Sequence, residues 1–90
     1  MDTVLGEIEA ALTTVQQTLD ALTSRGKHEA AYEIARAQYV ASIRSSWPQN
    51  LGPLVQALEQ TADDPRNGLT AEELARLRRA VEVLRRAVAQ

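Results

Sequence analysis

Cysteine is absent from the 90 residues, so neither a disulfide framework nor a thiolate zinc site can be built. Phenylalanine is absent too, and two tyrosines and one tryptophan are the whole aromatic complement. The core must therefore come mainly from aliphatic side chains and alanine. The single histidine, His28, has no second imidazole or thiol beside it, so no metal set or nucleophile–base pair is expected. No apolar run approaches the roughly 18 residues needed to cross a bilayer. Residues Met1 to Glu7 are acidic where a secretory signal is basic, and a cytoplasmic location is the expectation. A net charge of −2 singles out neither a polyanion binder nor an acidic tail.

What is present points to helices. Apolar residues make up 44% and charged residues 24%, which excludes a disordered tail and suits one soluble domain over residues 1–90. Alanine, leucine, arginine, glutamate and glutamine dominate, and these are the best helix formers. Fifteen alanines and nine arginines against one lysine are also what GC-rich codons supply, so a bacterial or phage source is expected.

Leu5, Ile8, Leu12, Val15, Leu19 and Leu22 recur at alternating spacings of 3 and 4, a heptad stripe that no strand produces. Val4 and Ala11 widen it to the face of a bundle helix, and Arg25-Gly26 supplies the stop. A second helix is predicted from about Lys27 to Ser46, closed by Trp47-Pro48. It is apolar on two sides: Tyr32, Ala35, Tyr39 and Ile43 face one way, while Ala30, Ile34, Ala37 and Ala41 lie nearly opposite. A helix of that kind is usually sandwiched between neighbours. A short third helix fits Pro53 to Ala62, followed by a loop from Asp63 to Gly68. Thr70-Ala71-Glu72-Glu73 is a capping box, and Leu74, Leu77, Val81, Leu84 and Val88 then repeat at 3 and 4. The fold class expected is all-α, an up-and-down bundle of about four helices with the terminal pair antiparallel. In that register Leu5 meets Leu84, Ile8 meets Val81, Leu12 meets Leu77 and Val15 meets Leu74. The flanking positions would then pair Asp2 with Arg85 and Glu9 with Arg78.

The residues available for function are few. Asp63, Asn67, Gly68 and Glu73 resemble a calcium loop only superficially, because proper placement of the glycine puts Leu74 where a bidentate glutamate is required. No catalytic, cofactor-binding or metal-ligating set is expected, and the chain is read as a non-enzyme. Arg76, Arg78, Arg79, Arg85 and Arg86 form the one basic candidate surface, either paired within the molecule or available to the phosphates of a nucleic acid. No aromatic lies among them to stack on bases. Tyr32, Tyr39 and Trp47, with Ile43, are either core or the anchors of a partner interface, where tyrosine and tryptophan are enriched. The expected function is a small regulatory or adaptor module that acts through protein contacts, as a homodimer or with another protein. A nucleic-acid-associated protein using the fourth-helix arginines is the alternative, and no membrane partner is expected.

Overall fold

A computed structural model describes residues 3–43 and 48–89, with side chains from residue 6 onward. Helix α1 (Thr3–Ser24) is followed by α2 (His28–Ser42), a 3₁₀ turn (Gln49–Leu51), α3 (Gly52–Asp63) and α4 (Ala71–Ala89). No strand occurs among the described residues. The fold is all-α, with α3 the shortest of the helices. The four helices form a ring in which α1 packs on α4 and α2, and α3 packs on α4 and α2.

Helices α1 and α4 share the most extensive contact, and it is antiparallel. Residues 14–21 of α1 share a surface hollow with residues 69–76, while residues 7–14 share another with residues 76–83. The expected leucine register requires the same order. The deepest line on α1 is nonetheless rotated from the heptad stripe. Ile8, Ala11, Val15, Thr18 and Leu22 are buried, whereas Leu12 and Leu19 are only half-buried. An α1 that touches both α4 and α2 buries the line between those contacts, which brings in Ala11 and Thr18. The Leu5 side chain lies outside the described residues.

The flanking charge pairs differ from expectation. Glu9 is exposed, and Arg78 turns the other way, to Asp63 at 3.2 Å and to the Ala62 carbonyl at 3.1 Å. Arg85 likewise meets Glu59 of α3 at 2.8 Å. Asp2, its expected partner, lies outside the described residues. The reason is the ring: α4 sits between α1 and α3, and positions 78 and 85 fall on its α3 flank.

Local signals explain the turns. Lys27 N–H donates to the Leu22 carbonyl and Gly26 N–H to that of Thr23, the paired bonds of a Schellman motif, with Gly26 at φ 76°. The capping box forms as read: Glu73 N–H donates to Thr70 Oγ1 and Thr70 N–H to Glu73 Oε1. Asn67 is buried, donates to the Thr61 carbonyl and accepts from Leu69 N–H, so it ties the end of α3 to the approach of α4.

The second helix ends earlier than predicted, at Ser42. Its Ala41 carbonyl accepts a 2.7 Å bond from Asn50 Nδ2 in the 3₁₀ turn. A side chain brought in by tertiary packing thus satisfies a C-terminal carbonyl of α2. No sequence signal at Trp47-Pro48 announces this.

Candidate partner interface

Helix α2 is not sandwiched. Its inner line of Ala31, Ile34, Ala37 and Ala41 is buried against the other helices, with Ala30 half-buried beside it. The opposite line remains in solvent: Tyr32 is 64% exposed, Tyr39 68% and Ile43 66%. These are the large apolar side chains left open among the described residues, and all belong to one stripe of one helix. Helix α3 cannot cover them, because it meets α2 on a different flank, where Ala37 and Val40 face Pro53 and Ala57. The core reading of Tyr32 and Tyr39 is therefore excluded within the isolated chain. Trp47, the fourth residue of the candidate surface, lies outside the described residues.

Beside this stripe runs an apolar groove of about 360 Å³. Leu12, Ala41, Leu51 and Leu54 form its walls, and Gln38 and Ser42 form its α2 rim. Asn50 also lines it, and is only 6% exposed. Its Nδ2 is engaged with Ala41, but its Oδ1 is buried with no hydrogen-bond partner among the described residues. A buried acceptor left unpaired is costly, so this oxygen is a point where a donor would be gained.

The arginine surface is differently placed. Arg76 pairs with Glu72, Arg78 with Asp63, Arg85 with Glu59 and Glu82, and Arg86 with Glu82. The hydrogen bond that Arg85 donates to Glu59, then the Glu59 charge, holds the Arg85 guanidinium above its ordinary range. Arg79 has no ion pair to a described residue and stands near Glu7 across the α1–α4 hollow. Four of the five arginines thus face carboxylates on their own or the adjacent helix.

One structural tie joins segments far apart in the chain. Arg25 forks onto Glu73, with Nη2 2.9 Å from Oε2, and Nη1 also donates to the Gly68 carbonyl at 2.9 Å. The Lys27 stem lies over Gly68, whose φ is 75°. Together they fasten the α1–α2 turn to the start of α4. The Arg25 bond and the Thr70 N–H depress the Glu73 carboxyl to about 2. An arginine one residue before a helix stop was the available clue, but its partner lies 48 positions away.

No group of three or more His, Asp or Glu side chains able to hold a metal occurs among the described residues. No helix of the described chain is long and apolar enough to cross a membrane. Comparison with known proteins finds no matching family model, no similar curated protein and no similar solved structure.

Proposed function

We propose that this chain is a small non-enzymatic interaction module that self-associates through the outer stripe of α2. The observation that carries the reading is that, among the described residues, the exposed large apolar side chains are Tyr32, Tyr39 and Ile43 on one helix face. Monomers tend to avoid contiguous apolar patches, and aromatic anchors on such a patch are the usual centre of a protein interface. A second copy is the occupant that needs no further assumption, because a two-fold axis lets the same stripe serve both subunits. The arginine surface supports a nucleic-acid role less well, since four of its five side chains already face carboxylates.

Sedimentation equilibrium over a wide concentration range tests the reading. A reversible monomer–dimer equilibrium is expected, with Tyr39→Ala weakening it by more than about 1 kcal/mol. A chain that stays monomeric at the highest concentration, or a dimer indifferent to Tyr39→Ala, overturns it.

A further inference from the structure

We propose that each copy in the dimer inserts its Tyr39 ring into the partner's groove beside α2, with the phenol hydroxyl donating to Asn50 Oδ1. This rests on the self-association reading and adds what fills the groove.

Area makes the first argument. Two tyrosines and an isoleucine about two-thirds exposed offer on the order of 400 Å² per copy. A standard stable interface buries about 800 Å² per partner. The stripe alone supplies about half, so the remainder must come from surface beside it. The groove is the adjoining apolar surface on α2, with Leu12, Ala41, Leu51 and Leu54 as its walls.

Placement makes the second. Gln38 and Ser42 form the groove's rim, immediately before Tyr39 and three residues after it. Knob and hole therefore share one turn of α2. A two-fold axis passing beside that turn sets each Tyr39 over the other copy's groove, and the exchange closes without leaving a free half.

Chemistry makes the third. The walls call for an apolar body, and the orphaned Asn50 Oδ1 calls for a single donor. Asn50 Nδ2 is already committed to the Ala41 carbonyl, so an acceptor from the partner would find nothing to bond. A tyrosine ring carrying one O–H meets both needs. Ile43 on the same stripe meets only the first.

The test plugs the groove from its own rim. Ser42→Trp and Gln38→Trp each place an indole over the hole while leaving the Tyr32–Tyr39–Ile43 stripe intact. Circular dichroism and thermal melting of each variant confirm that the fold is retained. Sedimentation equilibrium should then show the dimer dissociation constant raised about tenfold or more by either plug. Tyr39→Phe keeps the ring but not the donor and should raise it about three- to tenfold. The Asn50 side-chain amide resonances should shift on dilution of the wild type and should shift less in Tyr39→Phe. A wild-type dimer weakened by Tyr39→Ala but unaffected by both plugs overturns the groove and leaves the stripe dimer standing. Plugs that act while Tyr39→Phe does not, with no change at the Asn50 amide, overturn the hydrogen bond. A wild type that never dimerises removes the self-association reading itself.

Discussion

Helices α4 and α2 each turn an unusual face outward: five arginines on one, two tyrosines and an isoleucine on the other. On α4, four of the five cations reach carboxylates of α3 or of α4 itself. On α2, no described element covers the aromatic stripe, and its side chains stay about two-thirds exposed. The difference lies in what each side chain needs. A guanidinium on a long stem can swing to an acid on the next helix, and it keeps much of its hydration while doing so. An aromatic ring loses contact with water only when another element lies on top of it. Among the described residues every helix is already committed to the ring of four, so none remains to cover α2. Charge is settled within the molecule, while the apolar stripe of α2 is left in solvent.

That contrast can be broken most forcefully in the core both faces stand on. Leu77 is fully buried where α4 meets α1, and Leu77→Ala should cost roughly 2–5 kcal/mol in chemical denaturation. Half-buried Leu12 should fall at or below the low end of that range. Asn67→Ala leaves the Thr61 carbonyl and Leu69 N–H without their partner and should cost about 1–3 kcal/mol. Thr70→Ala removes the cap of α4 and should cost about 1 kcal/mol, read from the denaturation midpoint.

A subtler effect concerns pH. The Glu73 carboxyl is depressed from 4.5 to about 2 by the Arg25 bond and the Thr70 N–H. A depressed acid stabilises the fold fully above its unfolded value, and the contribution fades as pH falls from about 4.5 through about 2. The stability gap between wild type and Glu73→Gln should therefore be widest near neutrality and close in strong acid. A gap that widens on acidification would remove the carboxylate from the α4 cap. Smallest of all is Tyr32→Ala measured on the monomer at low concentration, expected to change stability by no more than about 0.5 kcal/mol. A loss above about 2 kcal/mol there would make the stripe part of the fold and erase the contrast with α4.

Much of the architecture was legible before any coordinates. The 3–4 spacing from Leu5 to Leu22 and from Leu74 to Val88 describes two amphipathic helices. The capping box at Thr70 and the glycine after Arg25 mark boundaries through interactions that span three to five residues. Such short-range chemistry is readable because both partners stand in the same stretch of chain. The misread features all join distant positions. A two-helix register points Arg78 and Arg85 at α1, whereas in the ring of four they meet Asp63 and Glu59 of α3. The Trp47-Pro48 stop predicts a helix to about Ser46, whereas Asn50 takes the Ala41 carbonyl and the helix stops at Ser42. The Arg25–Glu73 fork joins positions 48 apart, so the sequence offers only one of its two partners at the α1 stop.

The same boundary separates what each level decided about function. Sequence alone determined that the second helix would carry two apolar lines, since the period of 3.6 residues assigns side chains to faces without reference to neighbours. It also determined that cysteine chemistry was excluded, because the residue is missing. Only the tertiary structure decided which of the two lines is buried. Ala31, Ala37 and Ala41 are small enough for the neighbouring helices to approach closely around the buried Ile34, and that choice leaves Tyr32, Tyr39 and Ile43 in water. A helical period lists the faces a helix has; the positions of the other helices select the one that is left over.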